Sequence, residues 1–381
     1  MERKHYDDDQ LAFGDAFEAF LGKHVTPNFL EWERAGIMPR EIFAAAGKDG
    51  FLGMQIPDQF GGGGTPDFRF NQILNEKACI AGVGAAILGI TLHNDVVLPY
   101  FVHFTNDEQK QRWLPGIASG ELITAVAMTE PGAGSDLAGI RTSAVRDGDD
   151  YIVNGSKTFI TNGHNSDLVV TVVRTSDDRH TGLSLLVLER GMPGFERGRN
   201  LDKLGLHSQD TAELSFTDVH VPAANLLGAE GDGFTQLNEN LPQERLSIAV
   251  AAVAEAQAAL TETIGYVKSR KAFTTTISAF QNTKFVLAEL ATEIDIAQTY
   301  LDHCVQLLSK GELSTADASK AKWWTTELQG KTVDKCLQLH GGYGFMTEYQ
   351  IARRYADARV SRIYGGTTEI MKSVVSKSLG L

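Results

Sequence analysis

The chain has 381 residues, 43% of them hydrophobic, enough apolar material for a large core shared by two or three structural units. A formal charge of −13 and an isoelectric point near 5.3 argue against a nucleic-acid binder, whose footprint is basic. They stay compatible with an anionic small-molecule substrate, because local arginines and helix N-termini can reverse the field at a site. Met1 to Gln10 is highly charged and lacks an apolar stretch, so no secretory signal is expected. No run approaches the roughly 18 uninterrupted apolar residues of a membrane span, and the expectation is a cytoplasmic protein. Cys79, Cys304 and Cys336 are scattered without CxxC spacing, which reads as buried or incidental thiols in a reducing compartment, with no metal site.

From about Asp9 to Gly120, apolar residues recur at helical spacing, broken by turns such as Gly61-Gly62-Gly63-Gly64. Thr105 with Glu108 predicts a capping box for a helix ending near Pro115. The texture then turns to β. Tyr151-Ile152-Val153 and Lys157-Thr158-Phe159-Ile160 flank Asn154-Gly155, a strong hairpin signal because both turn residues tolerate positive φ. Further strands are expected at Leu168–Val173, Leu183–Leu188 and Ala212–Phe216. After Phe234 helix returns, with one stripe at Leu246, Val250, Val253, Leu260, Ile264 and Val267 and a second at Leu287, Leu290, Ile294, Leu301, Cys304 and Leu308. Ser314 with Asp317 predicts the cap of a third long helix, through Trp323 and Trp324 to Leu339. Such stripes are bundle core. The expected fold is mainly α with a central β domain, divided as 1–120 helical, 121–228 β and 229–381 helical bundle.

Met128-Thr129-Glu130-Pro131-Gly132-Ala133-Gly134-Ser135-Asp136 could be stacked turns or a dinucleotide-binding loop. The dinucleotide fingerprint needs a helix directly after the glycines and a third Gly or Ala three residues past the second. Leu137 stands there, and turn and hairpin follow, so a nicotinamide site is disfavoured. Other marked stretches are Phe159-Ile160-Thr161-Asn162-Gly163, Arg270-Lys271-Ala272-Phe273, Phe280-Gln281, Gln338-Leu339-His340-Gly341-Gly342, Leu241-Pro242-Gln243-Glu244-Arg245-Leu246 and Ile363-Tyr364-Gly365-Gly366-Thr367-Thr368-Glu369. Arginine suits a pyrophosphate because its planar fork meets phosphate oxygens bidentately, and glycines let backbone approach closely. His340 reads as a packed or surface histidine at a helix end.

Taken together these segments resemble the acyl-CoA dehydrogenase family, and the resemblance covers nearly the whole chain. It implies an N-terminal helical domain, a middle β-barrel-like domain, a C-terminal four-helix bundle and FAD as cofactor. Met128 and Thr129 would lie against the flavin, Thr129 bonding its pyrimidine side, with Ser135 where flavin and substrate meet. Reduced flavin gathers negative charge near N1–C2=O, so donors aimed there stabilise it. Phe159 takes the place of a customary Trp; Ile160 accompanies it, and the Thr161 hydroxyl falls near flavin N5. Arg270, Phe273, Phe280, Gln281, Gln338 and Gly342 would reach the adenosine half of a neighbouring subunit's FAD, and Thr367 and Glu369 the cofactor near the active site. That sharing makes a homotetramer, a dimer of dimers, part of the expectation. Arg245, Tyr364 and Gly366, with Ser135, fall on the substrate side.

The signature's usual catalytic glutamate follows the tyrosine, where this chain has Gly365. Glu244 supplies a carboxylate where a minority of the family carries its base; read alone, it would be a solvated helix-start acid. Gly365 keeps its N–H, the expected oxyanion donor beside a flavin ribityl hydroxyl. The implied reaction is α,β-dehydrogenation of an acyl-CoA to the trans-2-enoyl-CoA, with hydride passing to flavin N5 and electron-transfer flavoprotein as acceptor. Two departures from the family pattern are Pro242 for a substrate-side Asp and Thr274 for the Gly after Phe273. Leu241–Leu246, the run Lys203–Glu213 and Tyr364-Gly365-Gly366 most resemble the long-chain branch, although the isovaleryl branch also carries its base on this helix. Alternatives on the same fold are an acyl-carrier-protein-linked dehydrogenase, an acyl-CoA oxidase, for which the chain is short, a flavin monooxygenase, which needs no base, and an inactive acyl-binding protein.

Overall fold

Asp7 opens the first helix: its carboxylate accepts the N–H groups of Asp9 and Gln10, and the Gln10 side chain accepts the Asp7 N–H. This reciprocal cap satisfies donors that a helix start leaves free. The structure, a computed structural model, describes residues 3–179 and 181–381. The helices to residue 119 are α1 (Asp8–Phe20), α2 (Phe29–Ala35), α3 (Glu41–Lys48), α4 (Arg69–Ile80), α5 (Gly84–Thr91), α6 (Leu98–His103) and α7 (Asp107–Ser119).

The cap of α7 corrects the sequence expectation by one residue. Asn106 and Gln109 form the box in place of Thr105 and Glu108, because the Asn106 backbone is extended and places its side chain under the Gln109 N–H. The Thr105 hydroxyl instead donates back to the Phe101 carbonyl. The helix also continues through Pro115 and stops at left-handed Gly120. Between α5 and α6 the backbone widens to a π-helix over Leu92–Val97. The run Gly84–His103 is long and apolar enough to cross a membrane by length and composition, yet 78% of its apolar window is buried inside the protein. Its apolarity is spent on the core.

Strands β1 (Thr124–Ala127), β2 (Ser143–Asp147), β3 (Asp150–Thr161), β4 (Leu168–Arg174), β5 (Leu183–Glu189), β6 (Phe195–Asn200), β7 (Thr211–Pro222) and β8 (Leu226–Leu227) form one sheet. Its order is β6-β7-β3-β2-β4-β5-β8, with β1 parallel to β4. β4 and β5 are apolar on both faces, and the two-residue period sorts them. Val170, Val172, Leu185 and Val187 meet Phe101, Trp113 and Leu114 of the helices, whereas Val169, Val173, Leu186 and Leu188 meet Val153, Ile160, Leu214 and Phe216 of β3 and β7.

The hairpin expected at Asn154-Gly155 lies elsewhere. The turn joins β2 to β3, with Asp147 opposite Asp150 and Gly148 at φ +57°. β3 runs straight through Asn154-Gly155, where pairing with β7 slips between Val153 and Gly155. Asn154 Nδ2 donates to Asp218 Oδ1 (3.0 Å) and Asn154 Oδ1 accepts from the Asp218 N–H (2.9 Å), with Asp218 at φ +48°. The tolerance for unusual backbone angles serves a bulge here. A Cβ on Gly155 would lie 2.6 Å from Thr142 Oγ1, so no larger residue fits.

After β8 come α8 (Gly233–Ser269), a short hairpin of β9 (Lys271–Ala272) and β10 (Thr275–Thr276), α9 (Gln281–Ser309), α10 (Thr315–His340), α11 (Gln350–Ala358) and α12 (Thr368–Ser378). The apolar stripes of α8 and α9 meet as expected, with Leu246, Val250, Val253 and Leu260 packed with Leu290, Ile294, Leu301 and Cys304. Ser314 caps α10 by accepting the Asp317 N–H. α11 and α12 pack on α10, dividing the fourth side of the expected bundle between them. Phe273 and Thr274 turn the small hairpin with φ of +52° and +69°. The turn customary for glycine is thus kept with Thr274, at the cost of backbone strain.

Candidate active site

Glu244 lies about three turns into the 37-residue α8 and is only 6% exposed, so it is neither a first-turn residue nor a solvated one. The Tyr100 hydroxyl donates to Glu244 Oε1 at 2.9 Å. Burial raises the carboxyl to about 7, against the opposing pull of the Tyr100 hydrogen bond and the Arg245 charge. Arg245 is buried too, its charge disfavoured by desolvation and supported by Glu244. Its Nη1 reaches Ser319 Oγ at 3.4 Å, and its buried Nε has no partner among the described residues. A buried donor left free beside a buried carboxylate fits a site that binds a polar ligand.

The signature loop closes over the same helix. A Cβ on Gly365, at φ +63°, would lie 2.3 Å from Cδ1 of Ile248, which is one turn beyond Glu244. The usual base position and Glu244 therefore border one patch of α8. The Gly366 carbonyl accepts from Lys322 Nζ at 2.5 Å. Lys322 is wholly buried on α10, and burial with the neighbouring Arg245 charge brings its ammonium down to about 8. Tyr364 is half-buried beside the loop. Thr367 caps α12 by accepting the Ile370 N–H, and Glu369 is exposed in its first turn.

Three of these partners were not legible as site residues. Tyr100 and Lys322 fall outside every motif that marks the site in the sequence. Asp95, buried behind Glu244, accepts from Asn71 Nδ2 (2.7 Å), Asn75 Nδ2 (3.0 Å) and Ser247 Oγ, while Gln243 Nε2 donates to its carbonyl at 2.8 Å. Burial raises the Asp95 carboxyl to about 6 despite those donors. Gln243 and Ser247 flank Glu244, so this cluster fixes the turn that bears it. A signal existed: His93-Asn94-Asp95 interrupts an otherwise apolar run.

Met128 and Thr129 follow β1 and are tied to β3. Lys157 Nζ donates to the Met128 carbonyl at 3.0 Å and pairs with Glu130 Oε1 at 2.9 Å, while the Thr158 N–H donates to the Thr129 carbonyl. The Glu130 carboxylate also accepts the Arg141 and Thr142 N–H groups, drawing the ends of the intervening loop together. Burial would raise Glu130, but Lys157 and these donors hold it below the usual range. Ser135 is exposed on that loop. A second register slip in β3 puts Phe159 at φ +62° and leaves its ring 67% exposed, with Ile160 buried and Thr161 half-buried beyond it. The hydroxyls of Thr129, Ser135 and Thr161 make no side-chain hydrogen bond among the described residues. An exposed aromatic on strained backbone, beside free hydroxyls, is the surface that a flat polar ring system would cover.

The second group of expected cofactor residues lies at the other end of the bundle. Arg270 stands 5.1 Å from the Tyr343 ring centroid, Phe273 is 88% exposed against Phe280, and Gln281, Gln338 and Gly342 are exposed nearby. At 1.5 Å per residue, Arg270 is about 39 Å along α8 from Glu244. The structure thus gathers the expected residues into two separate groups. His340 belongs to neither: it is buried, its Nδ1 2.9 Å from the Cys336 carbonyl and its ring stacked on Tyr266 at 4.2 Å.

Family models for the acyl-CoA dehydrogenase N-terminal, middle and C-terminal domains match residues 7–121, 125–219 and 231–380. The mitochondrial long-chain specific acyl-CoA dehydrogenase of Sus scrofa is 45% identical over 380 residues, covering 99% of this chain and 88% of that protein. The crystal structure of an acyl-CoA dehydrogenase from Geobacillus kaustophilus is 49% identical, covers 100% of both chains and superimposes with a TM-score of 0.97. A glutaryl-CoA dehydrogenase from Mycobacterium smegmatis, solved in complex with FADH2, is 27% identical, with a TM-score of 0.91 and coverage of 99% and 95%.

Proposed function

Because the chain belongs to the acyl-CoA dehydrogenase family, FAD-dependent oxidoreductases acting on CH–CH bonds, we propose that Glu244 removes the α-proton of an acyl-CoA that leaves as the trans-2-enoyl-CoA. FAD, when bound, supplies the acceptor for the hydride that leaves the β-carbon. Thr129, Thr161 and Ser135 are the hydroxyls that would hold it, beside Phe159. The observation that carries the reading is Glu244 itself, buried and held near neutrality, one helical turn from the patch that a side chain at Gly365 would occupy.

A carboxyl poised near neutral pH can both accept a proton and be ionised at the working pH. The Gly365 N–H serves as oxyanion donor for the thioester oxygen, and the free Nε of Arg245 is a second polar contact on the substrate side. A monooxygenase would have no use for a base so placed. The long-chain relative supports a long acyl chain, and electron-transfer flavoprotein is the proposed acceptor.

The test is anaerobic mixing of the yellow holoenzyme with acyl-CoAs of increasing length and branching, followed by loss of flavin absorbance. Glu244 must be ionised to act, and its folded value is raised to about 7, so kcat/KM should fall as pH drops through that value. A pH-independent rate there would remove Glu244 from the role.

We also propose a homotetramer in which Arg270 serves a neighbour's cofactor. The wide separation of Arg270 from Glu244 supports it, as do the exposed Phe273, Phe280 and Phe345 at that end and Ile296 and Trp324 on α9 and α10. Arg270→Ala should then lose FAD on gel filtration while its far-ultraviolet dichroism stays unchanged. Full FAD retention by this variant would count against the shared site.

A further inference from the structure

We propose that Tyr100 is the positioning residue for the base, its hydroxyl holding Glu244 Oε1 so that Oε2 faces the α-proton. The inference rests on the reading of Glu244 as base. Tyr100 is completely buried, and its hydroxyl lies 2.9 Å from Oε1 across 144 residues of sequence. It stands just past the π-helical stretch Leu92–Val97. An extra residue in a helical turn rotates all that follows by roughly 100°, and such insertions recur at functional sites. Here the rotation delivers Tyr100 to α8.

The groups facing the pair are few. On α8 they are Arg245 next to Glu244, and Glu239, which faces His103. On α10, Lys322 lies beside Arg245. On α6, His103 is one turn beyond Tyr100, and from the π-helical stretch Asp95 reaches the catalytic turn through Gln243 and Ser247. Asn240, one turn before Glu244, faces the Tyr100 hydroxyl, and its buried amide nitrogen, a donor, makes no hydrogen bond of good geometry among the described residues. The Glu244 carboxylate is thus the acceptor at hand for the phenol proton. Burial and the Glu244 charge keep that proton on Tyr100, so the phenol acts only as a donor and favours the ionised carboxylate. No proton crosses this bond; the α-proton goes to Oε2.

Tyr100→Phe removes one oxygen and keeps the ring, and two readouts separate positioning from packing. The carboxyl C=O infrared band that disappears in Glu244→Gln should titrate about one to two pH units higher in Tyr100→Phe, the worth of one hydrogen bond to a charged group. In anaerobic mixing with palmitoyl-CoA, the rate profile should shift alkaline by the same amount with little change in KM. Introduced into Glu244→Gln, Tyr100→Phe should leave the residual rate unchanged, because its effect passes through Glu244. An unshifted carboxyl titration, or an equal loss of rate with and without Glu244, would overturn the inference. The proposed function fails separately: in that case the unaltered enzyme, or Glu244→Gln, contradicts it in the palmitoyl-CoA experiment, whatever the infrared titration shows.

Discussion

Glu244→Gln should still bind acyl-CoA yet lose about 10²–10⁴-fold of its rate of flavin reduction, the usual cost of removing a general base. The amide fills the same volume and can still accept from the Tyr100 hydroxyl, but its nitrogen lone pair is delocalised into the carbonyl and cannot take the α-proton. Restoring a carboxylate at the family's usual position is the sharper half of the experiment. In Glu244→Gln/Gly365→Glu the new Cβ would lie 2.3 Å from Ile248 Cδ1 and the residue would sit at φ +63°. A left-handed non-glycine residue costs roughly 1–2 kcal/mol. The double variant should therefore recover little, and adding Ile248→Ala should recover more. Recovery should stay incomplete, because attack geometry is sensitive to shifts of about 1 Å. Stopped-flow reduction of the three variants decides it. Near-normal reduction by Glu244→Gln would exclude Glu244 as base and turn attention to Glu369, the nearest acid of the signature loop.

Glu130→Ala should destabilise the β domain by about 3–5 kcal/mol, the cost of stranding one member of a buried ion pair. Its partner Lys157 has a 0% exposed side chain, and burial already lowers that ammonium to about 8. Only the Met128 carbonyl would remain to it. The same substitution frees the Arg141 and Thr142 N–H groups, so the loop bearing Ser135 should open and FAD retention should fall with the melting temperature. Replacing both partners by apolar residues, as in Glu130→Leu/Lys157→Met, should return much of the stability but not the loop closure. A Glu130→Ala variant that melts normally and keeps its flavin would show that the pair does not organise this segment. Calorimetry with a parallel flavin absorbance assay reads both effects.

Much of the architecture was legible because it is carried by periodicity. The α8 and α9 stripes and the runs at β4 and β5 repeat at 3.6 and 2 residues, and burial follows the repeat. Caps and turns were read less well, since neighbouring residues compete for one role. Asn106 displaced Thr105 because its extended backbone sets its side chain under the Gln109 N–H, and Asn154-Gly155 became a bulge because the Asn154 side chain bridges to Asp218 across the slip in register.

The chain's own sequence determined the order of its three parts, the segments that line the proposed flavin surface, and the replacement of the usual base by Gly365 with Glu244 as candidate. Each is written in neighbouring residues or in a motif. The tertiary structure alone decided the surroundings that suit Glu244 to the proposed role of base: the Tyr100 hydroxyl, the burial that raises its carboxyl, the Asp95 cluster behind it and the Lys322 contact to Gly366. These partners come from α4, the π-helical stretch, α6 and α10, and a carboxylate's proton affinity depends on the charges and solvent around it in space, which sequence separation does not record.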